Sequence, residues 1–154
     1  MKKRSRYIVC LFCLVGMTMT VGIGEAVDAI DLREYQWKNR LLMVFAPCAR
    51  DARYQKLAGE LESQMHQIID RDLLVFHVFD IGQSWVNQTG ISEPAVKGLQ
   101  KRFSITSGQF TVVLVGKDGG EKLRRESAVD LDEVFSLIDS MPMRQREIGE
   151  RKRE

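Results

Sequence analysis

The chain is short of the residues that most thiol and metal chemistry requires. It has three cysteines and two histidines in 154 residues. Cys10 and Cys13 fall within an apolar leader, so Cys48 stands alone in the rest of the chain. A single cysteine excludes an internal disulfide and a Cys-x-x-Cys pair, and the folded domain must rely on its core for stability. His66 and His77 join no cluster with metal-ligand spacing, so no metal site and no cofactor is expected. No glycine-rich phosphate loop is present. Gly116-Lys117 lacks the upstream glycine and the following Ser/Thr, and it lies between strands instead of ahead of a helix. Repeats and low-complexity linkers are missing too. Four of the 23 Lys/Arg and one of the 21 Asp/Glu fall in the first 26 residues, leaving 19 and 20 beyond them. That near-balance excludes the clustered basic surface of a nucleic-acid binder.

The first residues carry the strongest positive signal. Lys2, Lys3, Arg4 and Arg6 precede an uncharged apolar run from Tyr7 to Gly24, and small residues follow at Gly24-Glu25-Ala26. This order of charged, apolar and small residues marks a secretory signal peptide over residues 1–26, with a second cut possible at Val27-Asp28-Ala29. A retained membrane anchor is the alternative, but the apolar core Ile8–Met17 is short against the ~20 residues of a bilayer span. A lipoprotein leader fits less well, because no small residue just before Cys10 or Cys13 suits lipid attachment. The reading places a domain at 27–143 in the periplasm or outside the cell, without a membrane span after cleavage. A charged tail at 144–154 is expected to fray.

Within that domain the periodicity changes repeatedly. Leu41–Ala46 is a continuous apolar run stopped by Pro47, which suits a strand buried on both faces. Over residues 50–71, Tyr54, Leu57, Ala58, Leu61, Met65 and Ile68 recur at helical spacing, with Asp51 as N-cap. Leu73–Phe79 is a second strand and Ile81–Ser92 a polar loop. Ser92-Glu93-Pro94 opens a short helix faced by Val96, Leu99 and Phe103. Phe110–Val115, a turn at Lys117-Asp118-Gly119-Gly120 and Glu121–Arg125 form a hairpin with a charged edge. Leu131, Val134, Phe135, Leu137 and Ile138 line a last helix. The order βαβαββα predicts an α/β thioredoxin-like three-layer sandwich. Its four-stranded mixed sheet has three parallel strands, an antiparallel edge and helices on both faces.

Three segments carry a resemblance: DLREYQWKNRLLMVFAP at 31–47, FTVVLVGKDGGEKLRR at 110–125 and LIDSMPMRQRE at 137–147. They resemble the bacterial members of domain of unknown function 4174, a peroxiredoxin-like, thioredoxin-fold domain that also occurs in secreted animal matrix proteins. The resemblance implies the fold and a secreted setting, and no defined activity.

The chemistry of redox thioredoxins is missing at two points. One thiolate attacks and a second resolves the mixed disulfide in such enzymes. Here the stretch after the first strand holds only Cys48, while Arg50 and Arg53 fall near the usual cysteine positions. Gln109-Phe110-Thr111 stands where those proteins have a proline before their third strand. The peroxiredoxin pattern is absent as well, since Phe45 and not Thr lies three residues before Cys48.

Cys48 remains the candidate catalytic residue. A helix start and two arginines would stabilise its thiolate, whereas a small apolar residue at a strand end is the competing role. Arg50 and Arg53 are candidate anion ligands, or a solvated first turn partly neutralised by Asp51. His77 alternates with apolar neighbours and reads as a satisfied core histidine. Trp37 is expected to pack under the first strand; Trp85, in a loop at a carboxyl end of the sheet, is the better placed for ligand contact, with core or loop packing the favoured role for each. The leading reading is a binding or interaction module for an unidentified protein or small molecule. The alternative is a one-cysteine oxidoreductase or peroxidase using Cys48.

Overall fold

The computed structural model describes residues 29–153. The expected leader, its cleavage sites and the anchor and lipoprotein alternatives lie outside these residues. After a short 3-10 turn, Leu32–Tyr35, the elements are β1 (Arg40–Cys48), α1 (Ala52–Ser63), α2 (Met65–Asp70), β2 (Leu73–Ile81), β3 (Ser84–Val86) and β4 (Thr89–Ile91). They continue with α3 (Glu93–Arg102), β5 (Thr111–Val115), β6 (Glu121–Arg125), α4 (Leu131–Ser140) and α5 (Pro142–Arg151). The sheet order is β4-β3-β2-β1-β5-β6.

β1 is buried on both faces, as its uninterrupted apolar run requires. Leu42, Val44 and Ala46 face one helical layer, where they meet Tyr54, Leu57, Leu61, Ile68, Val134, Phe135 and Ile138. Leu41, Met43 and Phe45 face the other, against Leu32, Val96, Leu99 and Phe103. The strand runs through Pro47 to Cys48. The ladder to β2 passes from Ala46–Phe79 to Cys48–Ile81, and β5 leaves β1 at Phe45–Thr111. Pro47 therefore removes no bond from a strand paired on two sides. The expected Asp51 cap forms, accepting from the N–H groups of Arg53 and Tyr54, and at the expected helix start Ser92 accepts from Ala95.

Five local expectations are corrected. The sheet has six strands, because the supposed loop Ile81–Ser92 contains the hairpin β3–β4. Its two-residue turn, Asn87-Gln88, has φ 46° and 67°, the left-handed pair that a tight hairpin of this twist demands. The third long strand, β5, runs antiparallel to β1 and not parallel. Asp80, near the end of β2, accepts from Gln100 Nε2 at 2.5 Å, Ser107 Oγ at 3.1 Å and Gly108 N at 2.5 Å. These bonds bring the chain after α3 back to the end of the sheet where β2 finishes, so β5 starts there and runs the other way.

The long helix over 50–71 is two helices. It breaks at Gln64 (φ −112°, ψ 25°), and the change of direction leaves Met65 exposed while Ile68 stays in the core. Trp37 is 64% exposed instead of packed under β1, held at φ 64° with its N–H donating to Lys117 O. Residues 144–154 do not fray from their start: α5 covers Pro142–Arg151.

Helix α5 is held by charge more than by apolar contact. Arg144, 3% exposed, donates from Nη1 to Asp70 O at 2.7 Å, from Nε to Asp139 at 3.1 Å and from Nη2 to the Asp70 carboxylate. Arg71 also reaches Asp139, at 2.5 Å, and Arg40 donates through both terminal nitrogens to Glu147. Arg144 is the enclosed partner, whereas Asp70 and Asp139 are partly exposed and keep Arg151 and Arg71. Arg144→Ala should therefore lower stability by about 2–3 kcal/mol in urea denaturation, through the charge-assisted hydrogen bonds it loses. A loss below about 1 kcal/mol would show that α5 is only lightly docked.

Candidate functional site

The sequence candidates meet where β1 gives way to α1. Cys48 is the last residue of β1, half-buried beside Ile81. Its carbonyl accepts from Asp51 N at 3.1 Å, and among the described residues its sulfur has no hydrogen bond. The helix start that could have steadied a thiolate is occupied by Asp51. One oxygen of that carboxylate accepts from Arg53 N at 2.9 Å and Tyr54 N at 3.3 Å, and the Arg53 side chain donates to both oxygens, at 3.0 and 2.7 Å. The Arg53 hydrogen bond is the main reason the Asp51 carboxyl titrates below its ordinary range. The Arg53 guanidinium also lies 4.9 Å from the centre of the Phe110 ring. Arg50 is exposed and forms no ion pair among the described residues. The three candidates are neighbours along the chain, but the carboxylate of Asp51 draws the helix donors and the Arg53 charge to itself and leaves Arg50 unpaired among the described residues.

An aromatic cluster lies beneath this turn. Tyr54, from the first turn of α1, hydrogen-bonds to His77 Nδ1 at 3.0 Å and packs edge-on to Phe79. Trp85 stacks on His77 with ring centres 4.7 Å apart. It does so from β3, where it pairs with His77 across the ladder. Burial raises the Tyr54 hydroxyl pKa, so the hydroxyl keeps its proton in this contact. The imidazole tautomer sets which of the two groups donates. Burial also lowers the His77 pKa to about 4. His77 is thus satisfied and partly buried, as its alternating pattern suggested.

The His77 and Trp85 rings form one wall of a groove of about 1220 Å³. The groove lies over β2, between α1–α2 and the β3–β4 hairpin, and includes Leu61, Met65, Ile69, Val75, His77 and Trp85. Met65 and Ile69 expose large apolar side chains at its rim. Sequence reasoning singled out Trp85 but missed Met65 and Ile69 as groove residues, and the groove extends to Asp72 and Leu73 at the start of β2. Met65 belonged to the core stripe in that reading, and it reaches the groove only because of the break at Gln64. Among the described residues no group of three or more His, Cys, Asp or Glu could hold a metal ion, and no helix is long and apolar enough to cross a membrane.

The architecture has close company among solved structures. The reduced 2-Cys peroxiredoxin of Plasmodium vivax superposes with a TM-score of 0.57 at 12% identity, covering 76% of this chain and 72% of its own. The mitochondrial 2-Cys peroxiredoxin of Plasmodium falciparum gives 0.53 at 10% identity, over 72% and 80%. These likenesses show a thioredoxin-like fold. In sequence, human sushi repeat-containing protein SRPX is 32% identical over 134 residues, 84% of this chain and 29% of that protein. Coiled-coil domain-containing protein 80 of Danio rerio is 30% identical over 134 residues, 77% of this chain and 16% of its own length. The chain thus spans less than a third of either relative. The model of the domain of unknown function DUF4174 matches residues 31–147, which include all three resembling segments, and the chain belongs to that family.

Proposed function

We propose that this protein is an exported binding module which keeps the thioredoxin-like frame without dithiol exchange. The observation that carries the reading is the Asp51 carboxylate at the start of α1. An attacking thiol at this point of the fold needs the helix N–H groups and a nearby cation to favour its anion. Asp51 accepts from the N–H groups of Arg53 and Tyr54 and pairs with the Arg53 guanidinium. A resolving thiol is missing as well, because Cys48 is the only cysteine beyond the leader. The groove beside His77 and Trp85, rimmed by exposed Met65 and Ile69, supports binding as the retained use of the frame. The charged-then-apolar leader supports export to the periplasm or the exterior.

Three outcomes test this reading. Protein recovered from its native host should begin near Val27 by mass spectrometry; a retained leader in the membrane fraction would replace export by anchoring. In an insulin reduction assay the mature chain should show no turnover above background, and Cys48→Ser should melt within a few degrees of wild type. Turnover at a thioredoxin-like rate, abolished by that substitution, would install the one-cysteine oxidoreductase instead.

The third outcome concerns His77. The unfolded chain takes up the imidazole proton near pH 6.5, the folded one only near pH 4. Stability should fall as pH drops between those values and level off below them, by about 3 kcal/mol at most. Denaturant titrations from pH 7.5 to 4 should show a steeper decline for wild type than for His77→Gln, which keeps a hydrogen-bonding group for Tyr54. Parallel curves would mean that His77 is not held neutral.

A further inference from the structure

A second cavity, at the opposite end of β1, has the chemistry of an anion site. It lies between the β5–β6 turn and the α4–α5 junction and measures about 450 Å³. The three segments that carry the family resemblance meet there. Arg40 comes from 31–47, Gly116, Lys117, Asp118 and Lys122 from 110–125, and Leu137, Met141, Pro142, Met143 and Arg146 from 137–147.

Arg40 is 1% exposed and lines this cavity. Its terminal nitrogens donate to Arg71 O and to Glu147, but its buried Nε has no partner. A buried N–H without an acceptor is costly, so Arg40 keeps an unmet donor beside this cavity. Lys117 pairs with Asp72 and Glu147, each at 2.8 Å. Burial opposes ionisation of Glu147, yet the hydrogen bonds from Arg40 and Lys117 outweigh it and keep the carboxyl below its usual range. Lys122 crosses Gly116 to reach Asp118 at 2.6 Å. A Cβ on Gly116 would meet Lys122 Cε at 2.6 Å and Asp118 Oδ1 at 2.7 Å, so only glycine leaves room for that crossing. Arg146 is exposed and has no ion pair among the described residues.

The start of α5 completes the arrangement. Its N-cap, Met141, offers no side-chain acceptor, and Pro142 has no N–H. The first-turn N–H groups that follow carry the positive end of the helix dipole into this corner. Arg40, Lys117 and Lys122 are each paired with a carboxylate, which leaves Arg146 as the one lining cation without an ion pair among the described residues. That unpaired charge matches a monoanion. Leu137, Met141, Pro142 and Met143 supply apolar walls that an inorganic ion would not use.

We propose that this cavity binds a small organic carboxylate with an apolar body, its head toward Arg40, Lys122, Arg146 and the start of α5. Such a head can come from a free acid or from the C-terminus of a peptide ending in an apolar residue. The site is separate from Cys48 and from the groove, so it stands or falls independently of the binding-module reading.

Isothermal titration of the mature chain with sodium octanoate tests it, with octan-1-ol as the uncharged control. A short peptide ending in Leu and its C-terminal amide form the second arm. Octanoate or the free-acid peptide should bind, with the octanol or amide partner about tenfold weaker or more. Whichever acid binds more tightly identifies the source of the head. Arg146→Glu, at an exposed position, should weaken the acid about tenfold while the melting temperature holds. Met143→Glu, which sets a carboxylate at the helix start, should do the same. Equal binding of octanoate and octanol, binding untouched by both substitutions, or no heat from any probe at millimolar concentration would overturn the proposal.

Discussion

β1 has to be buried on both faces, and the layers of the molecule follow from that need. From Leu41 to Ala46 it carries no polar side chain, and every residue is almost fully enclosed. A strand of this kind is stable only between two apolar layers. One layer comes from α1, α2 and α4, the other from α3 and the N-terminal 3-10 turn. The position of β1 in the middle of the sheet, between β2 and β5, follows from the same need.

The two ends of this strand differ in character. At its start, Arg40 is buried among Glu147, Lys117 and the carbonyl of Arg71. Buried charges persist only when they are paired and hydrogen-bonded. That condition ties α5 to the sheet, although α5 has few apolar residues of its own. At its far end, Cys48 leaves the strand beside a helix start whose donors serve Asp51. The frame shared with 2-Cys peroxiredoxins is thus preserved through the apolar layers, while the helix-start donors next to Cys48 are taken by Asp51. Fold and chemistry are separable here because they rest on different residues.

Some of the groove and the carboxylate cavity were visible as residues but not as sites. Trp85 stood out in an otherwise polar stretch, and only strand pairing brings it onto His77. Arg40 and Lys117 are ordinary basic residues in sequence. Neither motif spacing nor periodicity relates two positions separated by a whole βαβ unit, and the packing of α5 is what encloses them.

The sequence by itself determined whatever depends on neighbours along the chain. The apolar run of β1, the stripe Tyr54–Leu57–Leu61, the Asp51 and Ser92 caps and the turn at 117–120 are local matters of period, side-chain length and φ preference. So is the presence of one cysteine, Cys48, in residues 27–154. The tertiary structure alone decided the direction of β5, because Asp80 draws in residues 20 to 28 positions away. It decided the hairpin β3–β4, whose three-residue strands are too short to show a period. It decided the helix at 142–151 too. There the partners of Arg144 and Glu147 in Asp70 and Arg40 lie 74 and 107 residues away, and buried ion pairs at such distances leave no local pattern to read.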